Sequence, residues 1–177
     1  ALRTVLGPHV QQSGSLVAPD RLRFDFTHFK AVDSGQLERI EELVNDYIRR
    51  NAPLKVDLMD LEKAEKSGAT ALFGEKYDKQ VRVITVGDIS KELCAGTHLK
   101  ATGEIGIFKI TGEESVAAGL RRIEAIAGEV AYKKIKEDEE TLKAVADSLS
   151  IEPSKLPAQI EKLLNQIKEL EKKLKNY

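Results

Sequence analysis

Apolar and polar positions along this 177-residue chain change period several times, and each period predicts an element. Leu2, Val5 and Leu6 recur at helical spacing, and Gly7-Pro8 ends the run. Ser15-Leu16-Val17 and Leu22 to Phe26 read as two strands about a turn at Pro19-Asp20. In the second, Leu22, Phe24 and Phe26 alternate with Arg23, Asp25 and Thr27, which makes one face apolar and the other polar. Leu37, Ile40, Leu43, Val44 and Ile48 form one stripe of a helix over 34–50, with Ser34 as its expected N-cap and Pro53 beyond its end. Val56, Leu58 and Met59 predict a strand, and Leu61 to Ser67 a short charged helix closed by Gly68. Val81 to Val86 is rich in β-branched residues and is the clearest strand. Ile105 to Ile110 predicts another. Leu120 to Ile126, bounded by Gly119 and Gly128, fits a helix by propensity as well as a strand.

The remainder is helical. Glu129 to Leu149 is a charged amphipathic stretch, broken at Glu152-Pro153-Ser154. Beyond it Ile160, Leu163, Ile167, Leu170, Leu174 and Tyr177 alternate spacings of three and four, the pattern of a heptad seam. So short a seam is weak as an isolated coiled coil. It predicts a hairpin of Glu129–Leu149 against Pro157–Asn176, burying the seam internally; the alternative is self-association through another chain. The mixture places the chain in the α+β class, with residues 1–128 as one domain and 129–177 as a helical extension.

Composition narrows the function. Hydrophobic residues make up 41% and charged residues 32%, which fits a folded, highly charged chain and not a disordered one. One cysteine excludes an internal disulfide. No apolar run is long enough to span a membrane. A net charge of −1 gives no basic excess, so any nucleic acid must be held by a local patch. Few aromatic residues and no Trp argue against a base-stacking platform.

The single cysteine stands four positions before one of three histidines, in Cys94-Ala95-Gly96-Thr97-His98. A thiolate and an imidazole are donors that zinc prefers, and Gly96 lets the backbone turn tightly between them. On spacing alone the pair reads first as a buried free cysteine and a loop histidine.

The surrounding blocks add to this. Cys94-Ala95-Gly96-Thr97-His98, Thr102-Gly103-Glu104-Ile105-Gly106, Phe108-Lys109-Ile110 and Gly119-Leu120-Arg121-Arg122-Ile123-Glu124-Ala125-Ile126-Ala127-Gly128 occur in this order. His9-Val10-Gln11-Gln12, Gly14-Ser15-Leu16-Val17 and Leu22-Arg23-Phe24-Asp25-Phe26-Thr27-His28 precede them. Together they closely resemble the editing domain of alanyl-tRNA synthetase over roughly residues 1–130, followed by the start of that family's helical linker. The resemblance implies a mostly antiparallel sheet with packed helices and a strand at Leu120–Ile126. It implies a cytoplasmic aminoacyl-tRNA deacylase acting on seryl- and glycyl-tRNA, with the acceptor end of alanine tRNA as partner. ATP would serve only an aminoacylation domain that has no candidate residues here.

Residue by residue, the resemblance assigns Cys94 and His98 to zinc. Gln12 goes to the editing pocket, and Thr97 to orienting His98 or the ribose. Gly14, Ser15, Arg23, Arg121 and Arg122 go to substrate and tRNA; the two adjacent arginines fall on opposite faces of their strand, so at most one faces the acceptor end and the other is structural, paired with Glu124 or Asp25. The family's zinc site also contains a His-x3-His element, expected a few residues before Ala1. Its absence from this sequence predicts weak zinc binding or none, and impaired activity. Neither His9 nor His28 matches a ligand position. Two further readings stand beside the deacylase: a tRNA-positioning or interdomain helical module, and a freestanding trans-editing deacylase.

Overall fold

A computed structural model describes residues 1–71 and 77–175. It divides into two compact units, Ala1–Tyr132 and Lys133–Tyr177. The first contains a short helix α1 (Leu2–Leu6), strands β1 (Gln12–Val17) and β2 (Leu22–Thr27), and helix α2 (Ser34–Arg49). Strand β3 (Leu54–Asp60), helix α3 (Leu61–Lys66), and strands β4 (Gln80–Val86) and β5 (Ser90–Leu93) follow. Strands β6 (Phe108–Ala117) and β7 (Leu120–Ala127) complete it, and helix α4 (Gly128–Ser148) runs on into the second unit.

All strand pairs in the two sheets are antiparallel. One sheet has the order β1-β2-β7-β6 and the other β3-β4-β5. The alternation in β2 turns Phe26 into a core with Val10, Ile40, Ile48, Phe108 and Ile123. A smaller core under the second sheet joins Ala64, Val81, Val83 and Leu93. Leu120 to Ile126 is strand, which places it between β2 and β6 in the register Phe24↔Ile123 and Glu113↔Ile123.

Two local expectations are corrected. The N-cap of α2 is Asp33, not Ser34: its carboxylate accepts from the Gln36 backbone N–H at 2.9 Å, and the Gln36 side chain accepts from the Asp33 backbone N–H at 3.2 Å. The strand expected at Ile105–Ile110 begins only at Phe108, because Thr102–Ile105 forms a 3-10 turn that Gly106 ends at φ 74°. The buried Thr102 hydroxyl fixes that turn, donating to the Tyr47 carbonyl and accepting from the Ala52 N–H, both at 2.9 Å.

In the second unit α4 continues to Ser148 and α5 spans Leu156–Lys175. The seam is not buried in a hairpin. Ile160, Ile167, Leu170 and Leu174 are exposed, Leu163 is half-buried, and Leu142 and Val145 of α4 are exposed too. The physical reason is on α4. Its run Lys136-Glu137-Asp138-Glu139-Glu140 leaves no continuous apolar stripe to receive the seam. Asn176 and Tyr177, expected in the hairpin and seam, lie outside the described residues.

Candidate functional site

The Cys94–His98 segment leaves the end of β5, and β4 holds it from below. The Cys94 N–H donates to the Arg82 carbonyl at 3.1 Å, one rung beyond the last strand pair. The Arg82 side chain then organises the loop. Its Nη1 donates to the Cys94 carbonyl at 3.0 Å and to the Gly96 carbonyl, and lies 3.4 Å from His98 Nδ1. Cys94 is half-buried, and Thr97 and His98 are exposed. Arg82 was not among the residues singled out from the sequence. The signal for it was a lone cation inside a β-branched strand, flanked by the buried Val81 and Val83.

Cys94 and His98 thus present sulfur and nitrogen from one loop. Among the described residues no group of three or more His, Cys, Asp or Glu could hold a metal ion. A zinc site takes three or four protein donors, so the described residues do not by themselves fit one. His9 and His28 do not join the pair; they bond to each other at 2.9 Å beside the four-stranded sheet.

Gln12 begins β1, at a bulge between Gln12 and Gly14. Its Nε2 donates to Ser15 Oγ at 3.1 Å, which fixes the amide's orientation. Gln12 borders a cavity of about 810 Å³ whose polar lining includes Arg3, Thr4, Lys91 and Glu92, and whose apolar lining includes Leu22 and Phe24. Cys94 and His98 do not line it, although Cys94 follows Glu92 by two residues. Of the sequence-predicted residues, Gln12 lines the cavity with Ser15 bonded to it, while Cys94, Thr97 and His98 stand apart in the loop beyond β5.

A third group lies on the polar face of the four-stranded sheet. Asp25, opposite both Gly14 and Arg122, is only 9% exposed. Arg122 grips it with two bonds, Nε–Oδ1 at 2.7 Å and Nη2–Oδ2 at 2.9 Å. Arg23 Nε is buried 3.9 Å from the same carboxylate, with no hydrogen-bond partner. Arg121 points to the other face, where Glu113 holds it through both carboxylate oxygens. Both adjacent arginines are thus committed to carboxylates, and a phosphate would have to compete for either.

The hydrogen bonds from Arg122 hold the Asp25 carboxyl below its ordinary value of 3.8, against the opposing effect of burial. Stabilisation from a depressed carboxyl is complete above the ordinary value and is lost as pH falls through the lower folded value. Asp25→Asn should therefore lower the urea midpoint at pH 7, and the deficit should shrink below about pH 4. Urea unfolding followed by circular dichroism at several pH values checks this; a deficit independent of pH would dismiss the ion pair as its source.

The model of the threonyl and alanyl tRNA synthetase second additional domain matches residues 81–124, from β4 through the Cys94–His98 loop into β7. The alanine–tRNA ligase of Shewanella loihica is 53% identical over 174 residues, covering 98% of this chain and 20% of the relative. That of Idiomarina loihiensis is 49% identical over 173 residues, again 98% and 20%. That of Desulfitobacterium hafniense is 54% identical over 164 residues, 93% and 19%. The chain spans about a fifth of the length of these curated relatives. It belongs to the alanine–tRNA ligase family, as a homologue of the part that carries the second additional domain.

Proposed function

We propose that this chain is an editing unit that hydrolyses the ester of mischarged seryl- and glycyl-tRNA, with the acceptor end of alanine tRNA as its partner. The observation that carries this reading is the Arg82-braced loop presenting Cys94 and His98 beyond the strand that borders the Gln12 cavity. An apolar synthetic pocket separates glycine or serine from alanine only weakly, by roughly a hundredfold, so a second site must remove the errors. That site must accept serine and refuse alanine. The Gln12 amide can both donate and accept, and Ser15 holds it in place. A seryl hydroxyl bonds such an amide; an alanyl methyl leaves it unpaired and desolvated.

Cys94 and His98 would be two donors to zinc, with further ligands from outside the described residues; when bound, zinc would act as a Lewis acid or hold the aminoacyl group in place. Arg82 fixes the loop backbone through its carbonyl bonds and sets the His98 ring beside its guanidinium. Arg23, the least satisfied arginine on the sheet face, is the candidate for a tRNA phosphate.

The test is deacylation of seryl- and alanyl-tRNA by the 177-residue chain, with zinc measured on the same sample. Seryl-tRNA should be cleared faster than alanyl-tRNA, slowly and with substoichiometric zinc. Equal rates for both substrates would sink the editing assignment. A second reading, a module that positions tRNA and joins domains, draws on the exposed apolar stripe of α5, which suits packing against a further chain or segment. It predicts tRNA binding without any deacylation.

A further inference from the structure

Three rings drawn from two separate segments of the chain gather at the surface with nearly parallel planes, His9 and Phe29 exposed and His28 half-buried. His9 Nε2 and His28 Nδ1 are 2.9 Å apart, and their ring centroids 5.2 Å apart with planes inclined by 22°. That separation leaves little more than the two ring radii beside the N···N distance. The bond therefore runs close to the line of centres, and the imidazoles meet edge to edge. Phe29 continues the surface, its ring 6.2 Å from His9 and inclined by 20°. Phe29 is 83% exposed, an unusual position for a large aromatic side chain.

The surface is held in advance of any ligand. Thr27 Oγ1 donates to the His9 carbonyl and accepts from the Gln11 N–H, both at 3.0 Å, tying the two histidine segments together. The His28 N–H donates to the Gly119 carbonyl at 3.0 Å, and the Phe29 ring lies against Gly119 in the β6–β7 turn. Gly7, at φ 116°, lets the His9 ring fold back; a Cβ there would sit 3.0 Å from that ring.

The charge nearby has one sign available. Lys30, next to Phe29, is exposed. Arg121 and Glu113 also act on His28, but they neutralise each other in their own ion pair. Burial, then the neighbouring His9, hold His28 below the ordinary histidine range. An N–H···N bond between the rings in turn needs one nitrogen unprotonated. The surface is therefore an aromatic platform, with His28 held towards its neutral form, beside an exposed cation.

We infer that the His9–His28–Phe29 surface is a stacking platform for an unpaired base of RNA, with Lys30 on the adjoining phosphate. The inference rests on the tRNA-partner reading above. Bases stack on aromatic faces with little regard to sequence, and a neighbouring lysine tracks the backbone. A protein partner would seek apolar depth, which a flat imidazole pair does not offer.

The chain contains no Trp, so Phe29→Trp installs a single fluorescent reporter. The probes are an RNA hairpin ending in an unpaired CCA tail and the same hairpin made blunt. The tailed RNA should quench the indole emission of the Phe29→Trp protein, and the blunt one should not. Phe29→Ala should weaken binding of the tailed RNA about tenfold, and Phe29→Tyr should restore it. Because Phe29 is exposed, circular dichroism should report an unchanged fold. If Phe29→Ala binds the tailed RNA as wild type does and Phe29→Trp is not quenched, the platform is overturned while the tRNA partner stands. If wild type binds neither RNA, both fall.

Discussion

Cys94→Ala, placed in a full-length alanine–tRNA ligase that carries this segment, should leave charging with alanine at the wild-type rate and reduce clearance of seryl-tRNA to the uncatalysed level. The thiol sits at the end of β5, half-buried, in a loop that the smaller side chain can keep, since Arg82 bonds the Cys94 carbonyl and not its sulfur. The loss would then be chemical and not structural. Arg82→Ala separates the two. It removes the bonds to the Cys94 and Gly96 carbonyls and the neighbour of His98. Clearance should fall roughly 10- to 100-fold while Cys94 remains. Arg82→Lys should recover only part of it, because an ammonium cannot reproduce the geometry of a planar guanidinium. Single-turnover deacylation and aminoacylation assays on the same preparations read both. Undiminished seryl-tRNA clearance by Cys94→Ala would remove that residue from the site.

Phe26→Ala should have the largest effect on stability, about 3–5 kcal/mol. Phe26 is fully buried in β2, a strand paired on both sides, where it packs in the core containing Val10, Ile40 and Phe108. Truncation removes apolar burial and leaves a cavity that a strand fixed on two edges cannot close. Val17→Ala on β1, where the side chain is 81% exposed, should change stability by less than about 0.5 kcal/mol. Urea unfolding of the three proteins gives both values. A small effect at Phe26 would mean that the four-stranded sheet does not depend on this core.

The chain wrote its local elements plainly and its partnerships hardly at all. Val81 to Val86 was legible as a strand from β-branched residues, and α2 from one apolar stripe, because a period is fixed by backbone geometry alone. The Cys94–His98 pair was legible as a sulfur and a nitrogen four residues apart in one short segment. Boundaries were less so. Gly106 ended a turn where a strand was expected, and Asp33 outcompeted Ser34 as a cap because Gln36 could answer it.

Class, order of elements and family resemblance therefore follow from the order of residues alone. Which residues act together was settled only by packing. Arg122 and Asp25 are 97 positions apart, and only the register of β2 against β7 joins them. Arg82 reads as one more strand residue until the β4–β5 pair carries the Cys94–His98 loop across it. The low aromatic count argued against a stacking surface, and only the fold, with Thr27 bonded to the His9 carbonyl, brings the rings of His9, His28 and Phe29 together. Likewise the seam of α5 follows from its own period, but whether it is buried depends on the face of α4, and a run of charges there leaves it open. A period fixes where a side chain points along its own element. It does not fix what waits on the other side.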